Sequence, residues 1–184
     1  DTIIKTGSPL DEVINYYKDK IDSSTILDQL KIKPGNYFLV SAHREENIDY
    51  ENFFVFTELL NGLANELNLP ILVSTHPRTR IRIEKEKIRF HDLVELHKPF
   101  SFTDYCKLQL ESKAVLSDSG SITEESSILS FPALNLREAH ERPEGFEEGA
   151  VIMTGLKINN VLKGLDILEE FEKDRRQIDK VEDY

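Results

Sequence analysis

The sequence has 184 residues, of which 39% are hydrophobic and 31% are charged, and this composition is typical of one soluble globular domain. The formal net charge of -11 argues against a surface for nucleic acid or anionic membrane, because both would be repelled. The single cysteine, Cys106, excludes an internal disulfide and a cysteine-cluster metal site, which favours a cytoplasmic location. No apolar run approaches the roughly 20 residues that a membrane span needs.

Taken in chain order, short apolar runs alternate with longer segments of helical periodicity. The predicted strands are TIIKTG, YFLVSA, PILVST, DLVEL, KAVLSD and FPALNL. The predicted helices are PLDEVINYYKDKI, YENFFVFTELLNGLANEL, RTRIRIEKEKI, SFTDYCKLQL, SITEESSIL and INNVLKGLDILEEFEK. This alternation predicts an α/β fold with a doubly wound parallel sheet, in which ligands bind where strand ends meet helix starts.

The two ends of the sequence lead to an expectation about its extent. A predicted strand begins almost at position 1, and the last segment, DRRQIDKVEDY, is charged and offers little to pack. We therefore expect residues 1–184 to form one domain of a longer protein.

Polar residues follow four of the predicted strands, in AHREEN, THPRTR, SDSGS and REAHERPEG. In the first of these, His43 and Arg44 come directly after a buried strand. A guanidinium binds phosphate with paired donors, and an imidazolium can neutralise or protonate a leaving phosphate oxygen. The alternative is that both side chains pair with the glutamates that follow them.

The segment SDSGSITEES joins a predicted strand to a predicted helix. Ser121 and Glu124 fit a capping box, and Gly120 lets the backbone approach a ligand closely. The N–H groups at the helix start, together with the positive end of the helix dipole, favour a diphosphate. Ser119 does not fit a nucleophile elbow, because that motif requires glycine two residues to either side of the serine.

Glu125 in the same segment is not needed for the predicted cap. A carboxylate beside a phosphate site can accept hydrogen bonds from the vicinal hydroxyls of a ribose. The alternative is an exposed glutamate that stabilises the helix start through the dipole.

Three further residues are candidates for ligand contacts. Arg142 precedes Pro143, which restricts it to extended conformations, and it is suited either to phosphate or to a salt bridge with a neighbouring glutamate. Tyr105 could offer its ring to a base or belong to the core, and His76 could contact a ligand or be an ordinary loop residue. The histidines and carboxylates show no metal-ligand spacing.

In this order and at these separations, TGSP, AHREEN, HP, SDSGSITEES and ERPEG resemble the C-terminal domain of the non-hydrolysing UDP-N-acetylglucosamine 2-epimerases, over essentially the whole chain. The commoner family form has a second glycine and a glutamine where this sequence has Ser121 and Thr123. With AHREENID and STHPR, that departure resembles the branch that epimerises UDP-2-acetamido-2,6-dideoxy-L-talose to UDP-N-acetyl-L-fucosamine for surface polysaccharides.

The resemblance implies a Rossmann-like domain that forms the C-terminal half of a GT-B-type two-domain enzyme, a homodimer at full length. It implies inversion of C2 of a UDP-2-acetamido sugar by elimination and re-addition of UDP, without cofactor or metal. The carboxylates that move the C2 proton would lie on an N-terminal domain that this chain does not contain. We therefore expect the chain alone to bind UDP weakly, if at all, and not to epimerise.

The resemblance also implies roles for single residues. His43 would aid the departure and return of UDP. Phosphate oxygens would be held by Arg44, Ser119, Gly120, Ser121 and Arg142. Glu125 would bind the ribose hydroxyls, Tyr105 would lie near the uracil, and His76 matches a histidine that some members use for a second, regulatory UDP-sugar. Alternatives are the nucleotide-sugar-binding half of a GT-B glycosyltransferase, a hydrolysing epimerase and a non-catalytic UDP-sugar sensor.

Overall fold

The computed structural model describes residues 9–41, 50–137 and 151–173. The helices in these ranges are α1 (Leu10–Asp22), α2 (Ile26–Leu30), α3 (Tyr50–Leu67), α4 (Pro77–Glu86), α5 (Phe102–Glu111), α6 (Ile122–Leu129) and α7 (Ile158–Lys173). The strands are β1 (Phe38–Ser41), β2 (Ile71–Ser74), β3 (Val94–His97), β4 (Ala114–Ser117), β5 (Ala133–Asn135) and β6 (Ile152–Met153). None of the described helices is both long and apolar enough to cross a membrane.

The six strands form one parallel sheet in the order β3-β2-β1-β4-β5-β6. The strand order reverses between β1 and β4, which is the switch point where ligands bind in sheets of this kind. The prediction of a doubly wound, Rossmann-like sheet is confirmed. The predicted strand TIIKTG lies outside the described residues, and α2 and β6 were not predicted because five and two residues are too short to show a period.

Both faces of the sheet are covered, as the continuous apolar runs predict. β1, β2 and β4 are buried at every position. On one face, alternate strand residues pack against α3 and α7 around Leu60 and Val161. On the other face they pack against α2, α5 and α6 around Ile26, Leu108 and Ile122.

Helix α1 packs on the outer side of α5 and α6, in a hydrophobic cluster of its own. Ile14 and Ile21 pack with Cys106 of α5, and burial raises the pKa of the Cys106 thiol to about 12. This thiol is therefore a packed side chain and not a reactive one. The Ser24 hydroxyl, just after α1, donates to Asp104 in the first turn of α5, which fixes the start of that helix.

One buried hydrogen bond joins the beginning of β1 to the middle of α5. Tyr37 is fully buried, and its hydroxyl donates to the backbone carbonyl of Leu108 at 2.7 Å. The bond crosses 71 positions of sequence, so it holds α5 in place against the central strand.

We expect Tyr37→Phe to lower the free energy of unfolding by about 1–2 kcal/mol, because it removes a buried hydrogen bond while keeping the ring. Urea denaturation measures the change. The matched control is Tyr16→Phe, at a side chain that is 80% exposed, and it should change stability by no more than about 0.5 kcal/mol. Equal effects of the two substitutions would contradict the assigned role of the Tyr37 hydroxyl.

Candidate functional site

Three serines end the three central strands at the same level of the sheet. Ser41 of β1 is in register with Ser74 of β2 and with Ser117 of β4. All three are buried at the carboxyl edge, where the strand order reverses. Because their side chains are small, they leave space above the strand ends.

A cavity of about 410 Å³ is lined by two of these serines, Ser41 and Ser74. Its lining residues come from the carboxyl ends of strands and from the helices that follow: Ser41, Ser74, Pro99, Phe100, Phe102, Tyr105, Ser119 and Glu125. The volume falls within the range of small-molecule and cofactor sites. The described lining residues include three aromatic side chains, three serine hydroxyls and one carboxylate.

The turn between β4 and α6 is held by serine side chains. The Ser119 N–H donates to Ser117 Oγ at 3.1 Å, and the Ser121 N–H donates to Ser119 Oγ at 3.2 Å. The Ser119 and Ser121 hydroxyl oxygens are 2.7 Å apart, and Ser121 Oγ donates to Glu125 Oε1 at 2.6 Å. Since the one Ser121 hydroxyl proton is used on Glu125, the proton between the two serines belongs to Ser119.

The predicted capping box is wrong. Ser121 has φ -79° and ψ -10°, a helical conformation, and its side chain makes no capping bond. A capping side chain needs an extended backbone to reach back over the first turn, and this geometry is absent at Ser121. The hydroxyl bonds instead to Glu125, one helical turn further along the chain. Glu124, the predicted partner, is buried.

Glu125 is the one carboxylate among the described residues that line the cavity. Its carboxylate accepts from the Ser121 hydroxyl through Oε1 and from the Gln109 side-chain amide through Oε2. Burial raises the pKa of Glu125, and these two donors oppose that shift by stabilising the charged form. The nearby Glu124 raises the pKa further. Glu125 is therefore not the exposed helix-start glutamate of the alternative interpretation, and its contact with ribose hydroxyls stays a prediction.

Tyr105 faces the same cavity from α5. Burial raises the pKa of its phenol, and the negative charge of Glu125 adds to the effect, while a hydrogen bond with the Ser41 side chain opposes it. Its ring also packs at the edge of the core that contains Leu108. The core interpretation of Tyr105 therefore holds, and the same side chain lines the cavity. Its contact with a base stays a prediction.

The structure brings together some of the predicted site residues and not others. Tyr105, Ser119 and Glu125 line one cavity, and Ser121 touches it through Glu125. Gly120 lies half-buried in the same turn. His76 is exposed between β2 and α4 and does not line the cavity. Three predicted residues, His43, Arg44 and Arg142, lie outside the described residues.

Sequence reasoning missed several residues of this site. Gln109 is almost fully buried and contacts Glu125 across 16 positions, and nothing in its local pattern distinguishes it from other helical residues. Ser41 and Ser74 did leave a signal, because FLVS, ILVS and AVLS each end an apolar strand on serine. Read together, these three endings place small polar residues on one edge of a parallel sheet.

Within the described ranges, no group of three or more histidine, cysteine, aspartate or glutamate side chains could hold a metal ion. The cavity wall carries hydroxyls, one carboxylate and aromatic rings. This combination suits hydrogen bonds to a polyol and contact with a planar ring.

Comparison with known proteins decides the family. The family model described as UDP-N-acetylglucosamine 2-epimerase matches residues 1–184. The chain belongs to this epimerase family. A UDP-N-acetylglucosamine 2-epimerase from Methanococcus maripaludis is 30% identical over 184 aligned residues, which cover 88% of this chain and 49% of that protein.

Solved epimerase structures share the fold. The UDP-N-acetylglucosamine 2-epimerase from Rickettsia bellii superposes with a TM-score of 0.81 at 43% identity, covering 97% of this chain and 48% of that one. The Methanocaldococcus jannaschii UDP-GlcNAc 2-epimerase, solved in complex with UDP-GlcNAc and UDP, superposes with a TM-score of 0.81 at 25% identity. The match covers 95% of this chain and 49% of that one. The chain therefore spans about half the length of these epimerases.

We expect Glu125→Gln to stabilise the chain at pH 8. Because burial raises the pKa of Glu125, the folded state holds its proton more tightly than the unfolded chain does, and the free energy of unfolding falls as the pH rises above the ordinary carboxyl range. An amide carries no charge, and Gln109 can turn its own amide to accept from the new one. The variant should therefore gain stability relative to the parent chain between about pH 4 and pH 8.

Thermal and urea unfolding across this pH range measure the difference. The matched control is Glu170→Gln at an exposed position near the end of α7, which should leave the pH dependence unchanged. A variant that loses stability relative to the parent chain as the pH rises would contradict the sign of the Glu125 shift.

Proposed function

We propose that the cavity binds the nucleoside of UDP, and that this chain is the C-terminal, UDP-binding half of a GT-B-type two-domain UDP-N-acetylhexosamine 2-epimerase. The observation that carries the proposal is the Glu125 carboxylate, held by two donors in the wall of a cavity that Tyr105, Phe100 and Phe102 also line. A ribose offers two vicinal hydroxyl donors to a carboxylate, and a uracil offers a flat face to aromatic rings.

The charge of the described lining supports this orientation. Its residues include one carboxylate and no lysine or arginine, so this wall would repel a diphosphate and accept a neutral nucleoside. We infer that the phosphates lie toward Gly120 and the start of α6, where backbone N–H groups and the helix dipole favour anions.

The serines of the turn constrain how the phosphates could be held. The hydroxyl protons of Ser119 and Ser121 point along the chain toward Glu125, so neither is directed at an anion. A phosphate that accepts from Ser119 would require its hydroxyl to rotate. We infer that the cationic charge comes from His43, Arg44 and Arg142, as the resemblance implies.

The proposed reaction needs the two ends of UDP to be held while the sugar changes. A base removes the C2 proton, the C–H electron pair forms the C1=C2 double bond, and the C1–O bond breaks with its electrons leaving on UDP. Return of UDP to C1 and of a proton to the other face of C2 inverts that carbon. Fixed donors that meet the negative charge on the departing diphosphate lower the barrier, and His43 would protonate or neutralise it.

In this proposal the acid and base that act on C2 come from an N-terminal domain, so the chain alone does not epimerise. The full-length protein would work as a homodimer in the cytoplasm and supply a precursor for surface polysaccharide. That M. jannaschii's epimerase was solved with UDP-GlcNAc and UDP is consistent with a UDP-sugar substrate.

A second candidate substrate is UDP-2-acetamido-2,6-dideoxy-L-talose, as in the UDP-N-acetyl-L-fucosamine branch. The observation that favours it is the pair Ser121 and Thr123 in place of the commoner glycine and glutamine. Thr123 is fully buried, while Ser121 holds Glu125, so neither is directed at the sugar. We infer that, if this chain belongs to that branch, these two residues would distinguish the branch without contacting the sugar themselves.

We expect UDP to bind the 184-residue chain weakly and to shift the amide signals of residues 119–125 first in a two-dimensional NMR titration. Glu125→Ala should weaken binding about tenfold, because it removes a charge-assisted contact with the ribose. Glu170→Ala on the exposed surface is the matched control. Shifts confined to residues remote from the cavity would sink the assignment of the site.

For the full-length protein, we expect His43→Ala to lower the turnover number about 100-fold with the fold intact, as for loss of a general acid.

NMR of the reaction products distinguishes the candidate functions. Inversion at C2 with deuterium incorporation supports an epimerase. Release of free N-acetylmannosamine together with UDP supports a hydrolysing relative. Transfer of the sugar to an acceptor supports a glycosyltransferase. Unchanged turnover in both His43→Ala and Glu125→Ala would support a non-catalytic sensor. The same assay with each UDP-sugar identifies the substrate.

A further inference from the structure

Gln109 is a polar side chain placed where an apolar one would be expected. It lies on α5 between Leu108 and Leu110, and only 1% of its surface is exposed. Its amide nitrogen donates to Glu125 Oε2 on α6. The nitrogen must be the atom that faces Glu125, because a carboxylate offers only acceptors.

The burial of this amide costs stability. Its carbonyl oxygen, Oε1, is inaccessible and has no hydrogen-bond partner among the described residues. Leaving a buried acceptor unsatisfied is unfavourable, and a methionine of similar length would fill the same volume without that cost. The amide does supply one hydrogen-bond donor, which the Glu125 carboxylate in the cavity wall accepts.

That donor completes a two-sided hold on Glu125. The Ser121 hydroxyl fixes Oε1 from within α6, and Gln109 fixes Oε2 from α5. Each carboxylate oxygen has two lone pairs, so each keeps one for a further donor. With both oxygens fixed, the plane of the carboxylate is set, and its free lone pairs can meet two neighbouring hydroxyls together.

We propose that Gln109 is a positioning residue that fixes the Glu125 carboxylate for the two ribose hydroxyls, so that the site selects ribonucleotides over deoxynucleotides. This inference rests on the proposed function, since it assumes that the cavity takes the nucleoside of UDP. Gln109 acts through Glu125 and makes no contact of its own with the ligand.

Among the described residues, groups on α5, on α6 and in the turn before α6 affect the protonation of Glu125. Glu124 on α6 raises the pKa of Glu125, and the Ser121 and Gln109 donors lower it. From α5, Tyr105 and Cys106 are ionisable groups within electrostatic reach of Glu125, and Asp118 in the turn is within reach of Tyr105. Loss of the Gln109 donor therefore raises the pKa of Glu125 and favours its protonated form.

The first test compares UDP with 2′,3′-dideoxy-UDP, which lacks both hydroxyls. In Gln109→Met the dissociation constant for UDP should rise about tenfold, as for loss of a donor to a charged group, while that for dideoxy-UDP should change less than twofold. Equal losses for both ligands would show a general structural defect and overturn the proposal, as would unchanged UDP binding.

A double-mutant cycle tests whether Gln109 acts through Glu125. Once Glu125→Ala has removed the carboxylate, adding Gln109→Met should not weaken UDP binding further. Additive losses would mean that Gln109 acts by another route and would contradict the inference. The matched control is Gln29→Met on α2, where the exposed amide donates to Thr25, and it should leave both affinities unchanged.

A variant that adds a charge at position 109 should reverse the direction in which the preference for UDP over dideoxy-UDP changes with pH. A change in packing alone would not reverse it. In Gln109→Glu two carboxyl groups face each other and can share a proton at low pH, whereas at high pH both ionise and repel. Preference for UDP over dideoxy-UDP should then fall as the pH rises from about 5 to 8, and in the parent chain it should rise. If the preference for UDP changed with pH in the same direction in the variant and in the parent chain, the proposal would be overturned.

A titration without ligand separates this inference from the proposed function. Carbon-13 NMR of the glutamate carboxyl groups should show the Glu125 resonance titrating at higher pH in Gln109→Met than in the parent chain. If the parent chain does not distinguish UDP from dideoxy-UDP, the proposed function fails. If it does distinguish them but neither the titration nor the preference changes in the variant, the role of Gln109 alone fails.

Discussion

The parallel register of β1 with β2 and β4 is the constraint on which the site depends. It brings Ser41, Ser74 and Ser117 to one level at the point where the strand order reverses. Helix α6 follows β4 directly, and α5 follows β3, the strand that pairs with β2. These two helices place Tyr105 and Glu125 in the lining of one cavity, although 20 positions separate them in sequence.

Much of the fold could be predicted because its signals are local. The central strands are continuous apolar runs and the long helices are periodic, so their types and order follow from the sequence. Helix α2 and strand β6 were not predicted, because elements of five and two residues are too short to show a hydrophobic period. Their conformation depends on neighbours in space. The family resemblance also came from sequence, because five short motifs in a fixed order are more specific than any one of them.

The site was predictable only in part. Ser119, Tyr105 and Glu125 lie at strand ends or helix starts, where polar residues attract notice, and the structure brings them together. The capping box failed because Ser121 has a helical backbone and Glu125 takes its hydroxyl. Gln109 could not be found from the sequence, since its importance arises from a contact between two helices that no local pattern encodes.

The bond from Tyr37 to the Leu108 carbonyl has a consequence for motion at the cavity. Leu108 lies on α5 between Tyr105 and Gln109. The hydrogen bond from Tyr37, just before β1, therefore holds the helical turn that carries both residues. Opening of the site by tilting α5 would break a buried bond at the far end of the central strand. Ligand binding and hydrogen-exchange protection of the β1 amides should therefore be thermodynamically linked, with an occupied cavity slowing exchange at its base.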